Sequence, residues 1–274
     1  MPRVEVPGGS IAYETAGRGE AVLFISGLNG IGSFWRAQVE ALAPYFQTIT
    51  FDHRGVGGSA GAPPYATEQW AQDAVALLDH LGIRAAHLVG HSTGGVIAQV
   101  IAADYPDRAA SVVLGGTWAQ PDDRFRRVFE LRRDVLDALG IEAYARLAAI
   151  MTAPPDAPMG GAPERTDPAV IKARLDVLLS YRGIERLHRI RCPALVVAAA
   201  DDVLIPPHMS RALAAEIAGA ELKMLAGGAH AFPRSRAAEY NRIIMEFLRG
   251  SARRSPAELS GSPSIAPSRQ GGRL

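Results

Sequence analysis

Short apolar runs alternate with helix-like stretches along this chain, and that alternation restricts the fold more than any other feature. The runs are AVLFIS (21–26), QTITF (47–51), AHLVGH (86–91), SVVLGG (111–116) and ALVVAA (194–199). Continuous apolar runs of this length are typical of strands buried on both faces, and residues 67–82 and 94–106 have helical periodicity. Strands separated by helices predict an α/β fold with a mostly parallel sheet. RVEV and IAYET, joined by Pro-Gly-Gly, predict an antiparallel hairpin at one edge.

Two segments interrupt the alternation. Residues 120 to about 190 lack a strand-like run and hold Arg-rich helical stretches, which predicts a helical lid inserted between two core strands. From Ser251 the chain is rich in Ser, Pro, Gly and Arg, a composition typical of disorder. We therefore divide the chain into an α/β core (1–119 and 191–250), a helical cap or lid (120–190) and a tail expected to be disordered (251–274).

Composition limits the classes of function. The 274 residues are 48% hydrophobic and 21% charged, as in soluble globular proteins, and the net charge of +1 gives no reason to expect a nucleic-acid or membrane partner. The single cysteine, Cys192, excludes an internal disulfide framework and fits a reducing compartment. No leader-like or membrane-spanning apolar run is present. We expect a soluble, cytoplasmic protein, and the sequence leaves open whether it forms a homodimer.

Two serines share the pattern G-x-S-x-G, Ser59 in GGSAG and Ser92 in GHSTG. A nucleophilic serine of this type sits on a sharp turn between a strand and a helix, flanked by small residues. Ser92 follows a strand-like run and precedes the helix-like GGVIAQVIA. After Ser59 comes AGAPPY, whose two prolines exclude an immediate helix. Ser92 is therefore the predicted nucleophile, with a non-catalytic tight turn as the alternative.

A serine nucleophile needs a histidine base and a carboxylate that orients it, which on such a sheet follow the serine in the order acid, then histidine. Asp201 and Asp202 follow the run ALVVAA, and His230 lies in the glycine-rich AGGAHAF after AELKML. His208 also follows the aspartates, but it stands at a predicted helix start, so His230 is the predicted base. Chemistry alone leaves Asp201 and Asp202 open as the acid.

The oxyanion that forms during acyl transfer needs two backbone N–H donors. Thr93, directly after the predicted nucleophile, supplies one, and Leu28 in the loop GLNGIG is the best placed to supply the other. The same loop offers Asn29 as a substrate-binding residue. We predict no metal and no other cofactor, since the histidines and acids show no metal-ligand spacing such as H-E-x-x-H.

These motifs resemble those of the α/β-hydrolase superfamily over residues 3–250. FISGLNG, FDHRGVGGS, VGHSTGG, DDVLIP and GGAHAF carry the resemblance. It implies that Asp202 is the acid, because relatives place the acid four residues before a proline, here Pro206. It also implies that Ser59 belongs to a structural D-x-R-G-x-G-x-S loop. One departure is Ser26-Gly27 where many relatives have His-Gly, so hydrogen bonding behind the oxyanion loop must differ.

Within that superfamily the motifs look most like the aminoacrylate or carbamate hydrolases of pyrimidine degradation and the 3-oxoadipate enol-lactonases. Both groups act on small, polar, acidic metabolites. In RFRRVFELRRDVLDALG, Arg132 projects from the middle of an apolar stripe whose members are Phe125, Val128, Phe129, Val135, Leu136 and Leu139. Its planar fork suits a substrate carboxylate; snorkelling past the stripe, or pairing with Asp176, is the alternative. Trp118 is predicted to line the pocket or to belong to the core.

Together these features predict a cofactor-independent serine hydrolase with Ser92, Asp202 and His230 as its triad. The expected partner is a small-molecule substrate with an ester, lactone, amide or carbamate bond. A carbon–carbon bond hydrolase and a general carboxylesterase are alternatives within enzymes. A non-catalytic small-molecule receptor on the same fold is the alternative outside them.

Overall fold

A computed structural model describes residues 1–157 and 167–252 of the chain. The segment 158–166, which holds most of the Pro/Gly-rich lid loop, and residues 253–274 of the predicted disordered tail lie outside the described residues. The last helix continues to Ala252, so the first two residues assigned to that tail are helical.

The described residues form eight strands and eight α-helices. The strands are β1 (Arg3–Val6), β2 (Gly9–Ala16), β3 (Ala21–Ile25), β4 (Gln47–Phe51), β5 (Ala86–His91), β6 (Ala109–Gly115), β7 (Ala194–Ala199) and β8 (Glu221–Leu225). The helices are α1 (Arg36–Leu42), α2 (Thr67–His80), α3 (Thr93–Asp104), α4 (Asp123–Thr152), α5 (Pro168–Ser180), α6 (Pro207–Glu216), α7 (Phe232–Ser235) and α8 (Ala237–Ala252). Short 3₁₀-helices occur at Gly32–Trp35, Pro106–Arg108 and Ile184–Arg189.

The strands form one sheet in the order β1-β2-β4-β3-β5-β6-β7-β8. β1 and β2 pair antiparallel, as do β2 and β4, and every later pair is parallel. The predicted α/β fold with an edge hairpin is therefore confirmed. The β3–β5 and β5–β6 pairs lie in the middle of the sheet, so the end of β5 is held by a strand on each side.

Both faces of the sheet are covered, which explains why the central strands are continuous apolar runs in the sequence. Along β3, Leu23 and Ile25 belong to one hydrophobic cluster, and Val22 and Phe24 belong to the other. The first cluster includes residues of α2 and α3, and the second includes residues of α1 and α8. Among the described helices, none is long and apolar enough to cross a membrane.

Between β6 and β7 lies a helical insertion, residues 116–193, that contains α4 and α5. α4 is kinked at Gly140, whose φ of 78° lies in the left-handed region that glycine adopts without steric cost. The predicted apolar stripe of α4 is buried at Phe125, Phe129 and Leu136. The prediction was wrong at Leu139, which is 68% exposed, because the kink one residue later ends the face that packs on the core.

Candidate active site

The carboxyl ends of the parallel strands bring the predicted site residues to one edge of the sheet. Leu28 follows β3, Ser92 follows β5, Asp202 follows β7 and His230 follows β8. Residues more than 200 positions apart in the sequence thus approach one another. The insertion begins after β6 at the same edge.

Ser92 occupies a strained turn between β5 and α3. Its φ of 55° is unusual for a residue with a side chain, and such strain costs about 1–3 kcal/mol. Its N–H is held by the Gly115 carbonyl at 2.8 Å. A Cβ at Gly90 would strike the Gly94 carbonyl oxygen, and one at Gly94 would strike the Ile25 carbonyl oxygen. Only glycine fits these two positions, so the turn is locked in this shape.

Asp202 and His230 form a buried hydrogen-bonded pair. Asp202 Oδ2 lies 2.8 Å from His230 Nδ1, and the two residues are 3% and 4% exposed. Asp202 Oδ1 accepts the N–H groups of Leu204 and Ile205, both at 2.9 Å, so the carboxylate is fixed at each oxygen. Because a carboxylate only accepts, the proton of the imidazole sits on Nδ1 and Nε2 is left as a base.

Asp201 turns away from the imidazole and holds the backbone of the histidine loop. Its carboxylate accepts the N–H of Gly228 at 3.1 Å and that of Ala229 at 2.8 Å. Ala229 has a positive φ of 52°, so these bonds stabilise a conformation that alanine rarely adopts. The neighbouring aspartates thus have separate tasks, one on the His230 ring and one on its backbone.

His91 positions the His230 loop and was not singled out from the sequence. Its Nε2–H donates to the His230 carbonyl at 2.9 Å, and its ring lies 4.7 Å from the His230 ring. Burial holds the pKa of His91 well below 6.5, and a positive charge on His230 would lower it further, so His91 stays neutral. Its place directly before Ser92, the predicted nucleophile, was the available signal, because that side chain must pack beneath the turn.

The loop after β3 lies against Ser92. A Cβ at Gly27 would come within 3.3 Å of Ser92 Cβ. Gly30 N–H bonds to the Gly27 carbonyl at 2.9 Å, and Ser26 Oγ donates to the Ile31 carbonyl at 2.7 Å. Ser26, which stands where many relatives have histidine, therefore supplies a hydroxyl that links the two ends of this loop.

The two predicted oxyanion donors are free in the described part of the chain. Neither the Leu28 N–H nor the Thr93 N–H donates to another described residue. Thr93 is the first residue of α3, where the helix dipole favours negative charge. In the same part of the chain, no hydrogen bond joins Ser92 Oγ to His230; such bonds in unliganded enzymes often tighten only when substrate binds.

Ser59 has a different environment from Ser92. Its hydroxyl donates to the Asp52 carbonyl at 2.6 Å and accepts the Ala12 N–H at 2.8 Å. The Asp52 carboxylate accepts the N–H groups of Gly32 and Gly58, each at 2.8 Å. Ser59 thus ties the loop after β4 to β2, and its hydroxyl both donates and accepts a structural hydrogen bond.

The three predicted substrate-binding residues lie in different environments. Asn29 is exposed in the loop after β3. Trp118 is completely buried, with its ring 4.7 Å from that of Phe125 and its Nε1–H without an acceptor among the described residues. Arg132 is 4% exposed and donates to the Tyr144 hydroxyl at 2.7 Å.

The insertion contacts the site from two sides. The Thr152 carbonyl, at the end of α4, accepts the N–H of Ala231, next to the predicted base, at 2.8 Å. Arg174 of α5 donates from Nε to the Leu28 carbonyl at 2.7 Å. Sequence reasoning missed Arg174, although it stands four residues from both Val170 and Leu178 on the buried face of α5. Arg132 was predicted to be buried from the same kind of spacing on α4.

Within residues 1–157 and 167–252, no group of three or more His, Cys, Asp or Glu side chains is arranged to hold a metal ion.

Comparison with known proteins gives consistent matches. Residues 20–143 match the model of a family described as alpha/beta hydrolase fold. A protein of Caulobacter segnis named "Putative carbamate hydrolase RutD" is 35% identical over 255 residues, which cover 87% of this chain and 94% of that protein.

Solved structures of similar fold include an enol-lactonase from Burkholderia xenovorans. It has a TM-score of 0.81 and 26% identity, over 90% of this chain and all of that one. A thermophilic esterase from Thermogutta terrifontis, solved with malate bound, has a TM-score of 0.81 and 26% identity over 92% of this chain and 99% of that one. With its sheet order, its strained serine turn and a relative 35% identical over most of its length, this chain belongs to the α/β-hydrolase family of enzymes.

Proposed function

We propose that this enzyme is a serine hydrolase, independent of metals and other cofactors, that cleaves an ester, lactone, amide or carbamate bond of a small carboxylate-bearing metabolite. The observation that carries the proposal is the buried hydrogen bond between Asp202 and His230, at the same end of the sheet as a serine on a strained strand-to-helix turn. A hydroxyl becomes a competent nucleophile only beside such an oriented base.

The chemistry follows from the atoms at the site. His230 Nε2 takes the proton of Ser92 Oγ while that oxygen attacks the substrate carbonyl carbon. The N–H groups of Leu28 and Thr93 stabilise the oxyanion, and the Asp202 carboxylate stabilises the imidazolium that forms. His230 then protonates the leaving group. Water, activated by the same nitrogen, hydrolyses the acyl-enzyme and regenerates Ser92.

The substrate class rests on relatives and on Arg132. The relatives include one named for carbamate hydrolysis and one called an enol-lactonase, and a third was solved with the dicarboxylic acid malate. Arg132 is buried in the insertion, and Asp176, its alternative partner, pairs instead with Arg133 at 3.1 Å. We assign the insertion the role of a lid, with Arg132 binding the substrate carboxylate.

Two esters that share a leaving group test this proposal, 4-nitrophenyl hydrogen succinate and 4-nitrophenyl butyrate. Ser92→Ala should lower kcat for both by about 10⁴-fold or more, because it removes the nucleophile. Arg132→Gln should lower the acidic-to-neutral ratio of kcat/KM by about tenfold, the effect of one charged hydrogen bond.

Arg133→Gln is the matched control, since Arg133 is the next residue on α4 and its side chain is 36% exposed. It should leave that ratio unchanged. Hydrolysis that survives Ser92→Ala would overturn the triad, and an unchanged ratio in Arg132→Gln would remove the assigned role of Arg132. A wild-type enzyme inert towards both esters would favour a receptor on this fold.

A further inference from the structure

Two arginines of the insertion are buried without a carboxylate partner in the described part of the chain. Arg132 of α4 is 4% exposed and Arg174 of α5 is 1% exposed, and neither takes part in a salt bridge with a described residue. A buried charge without a counter-charge costs several kcal/mol. Such a pair is therefore expected only where a negative group enters.

Arg174 is held entirely by neutral groups. Nε donates to the Leu28 carbonyl at 2.7 Å and Nη2 donates to His53 Nδ1 at 2.8 Å. The guanidinium carbon lies 4.6 Å from the centre of the Trp70 ring. Burial lowers the pKa of Arg174 to about 10, so the group is still charged at neutral pH. Its Nη1 is buried and has no acceptor among the described residues.

Arg132 approaches the same region from α4. Its Nη2 donates to the Tyr144 hydroxyl at 2.7 Å, while its Nε is buried and has no acceptor among the described residues. Burial raises the pKa of Tyr144, and the charges of Arg132 and Arg174 both oppose that rise. α4 and α5 are joined by the ion pair between Arg133 and Asp176 at 3.1 Å, so Arg132 and Arg174 lie in the same part of the insertion.

Several buried N–H donors around Arg174 have no acceptor among the described residues. His53 Nδ1 accepts from Arg174, so His53 Nε2 carries the ring proton, and this N–H has no described partner. Trp70 Nε1–H has none either. Because buried donors are almost always satisfied in a native protein, this arrangement calls for a ligand that is rich in acceptor atoms.

We propose that Arg174, with Arg132 and the Tyr144 hydroxyl, forms the binding site for the carboxylate of the substrate. The inference rests on the proposed function and deepens it, by adding the residue that joins the anion site to the oxyanion loop. The Arg174–Leu28 hydrogen bond sets the carboxylate end of the substrate beside the loop that holds its reacting carbonyl. The substrate class is then a small acid whose carboxylate lies a short distance from the scissile bond.

Direct binding to the Ser92→Ala protein tests this site without any turnover. Succinate is the probe, acetate and propionate are smaller acids, and succinamide is the neutral analogue, all titrated by calorimetry at constant ionic strength. We expect at least one of the acids to bind and succinamide not to bind. Adding Arg174→Gln should weaken the binding of the acid by about tenfold or more, whereas Arg133→Gln should leave it unchanged.

Thermal unfolding separates binding from folding. A ligand that binds only the folded protein raises its Tm. The acid should therefore raise the Tm of the Ser92→Ala protein, and it should raise the Tm of the Ser92→Ala, Arg174→Gln double variant much less. A merely structural arginine would lower the Tm without ligand and leave this increment intact. If Arg174→Gln does not fold, Arg174→Lys carries the test, because lysine keeps the charge and loses the planar fork.

Equal affinity of the Arg174 and Arg133 variants for the acid would overturn the inference, as would the failure of all three acids to bind at tens of millimolar. The proposed function is tested separately, by whether the hydrolysis of neutral 4-nitrophenyl butyrate depends on Ser92. If none of the acids binds the Ser92→Ala protein while the wild type remains a Ser92-dependent esterase, the anion site is removed and the serine hydrolase stands.

Discussion

Ser92 and Ser59 occupy the same five-residue pattern, yet the fold places them in different surroundings. Ser92 lies at the end of a central strand with a positive φ, directly before a helix. Ser59 lies in a loop, and its hydroxyl both donates to and accepts from the backbone. The pattern itself indicates only a glycine-rich turn. The two turns differ in the segment after the serine, which is a helix N-terminus in one case and a pair of prolines in the other.

The difference between the two serines is tested most strongly at the two aspartates that contact His230 and its loop. Asp202→Asn should lower kcat by about 10⁴-fold, because the amide stabilises the wrong tautomer of His230 and does not stabilise the imidazolium. Asp201→Asn is the neighbouring control and should lower kcat far less, since Asp201 bonds the backbone of Gly228 and Ala229. Steady-state kinetics on 4-nitrophenyl butyrate measure both. Equal losses would show that the two aspartates do not have separate tasks.

Removing the Ser59 hydroxyl should affect stability rather than chemistry. Ser59→Ala leaves the buried Ala12 N–H and the Asp52 carbonyl unpaired, which costs about 1–3 kcal/mol in the free energy of unfolding. Urea unfolding measures the loss, and kcat for the neutral ester should stay within a few-fold of the wild type. A Ser59→Ala protein of unchanged stability but without activity would reverse the assignment of the two serines.

A buried histidine lies near each of the two serines, and its titration should have a smaller effect, on the pH dependence of stability. Burial holds the pKa of His91, beside Ser92, and of His53, in the Ser59 loop, well below 6.5. In the unfolded chain both take up a proton as the pH falls through about 6.5, whereas in the folded chain they stay neutral. The unfolded state then binds more protons, so stability is lost on acidification.

Each histidine should contribute about 1.4 kcal/mol per pH unit below that point. The measurement is the free energy of unfolding between about pH 7 and about pH 5. His53→Asn and His91→Asn should each reduce the slope by about one proton, because asparagine does not titrate. A slope that neither variant changes would mean that both rings are protonated in the folded protein.

The sheet was predictable because strands buried on both faces have a simple sequence signature. Leu23 and Val22 belong to clusters on opposite sides of the sheet, so no polar residue interrupts the run. The choice between Asp201 and Asp202 was not predictable from chemistry. It depends on which backbone N–H groups converge on each carboxylate, and those of Gly228 and Ala229 lie 27 and 28 residues away.

The insertion was the least predictable part of the site. The stripe on α4 identified Arg132 as buried, but it failed at Leu139, because a break in the helix at Gly140 is a property of the backbone. Arg174 was overlooked because its partners, Leu28 and His53, are brought to it only by the folded sheet. A charged residue at apolar spacing indicates burial, whereas the identity of its partner depends on the tertiary structure.

Covalent labelling with diisopropyl fluorophosphate tests most directly that Ser92, not Ser59, is the nucleophile. The reagent phosphorylates an activated serine hydroxyl, and mass spectrometry of the digested protein locates the adduct. We expect a single adduct on the peptide that contains Ser92, with inactivation at the same rate as labelling, and none in the Ser92→Ala protein. An adduct on Ser59, or full activity in a protein labelled at Ser92, would contradict this assignment.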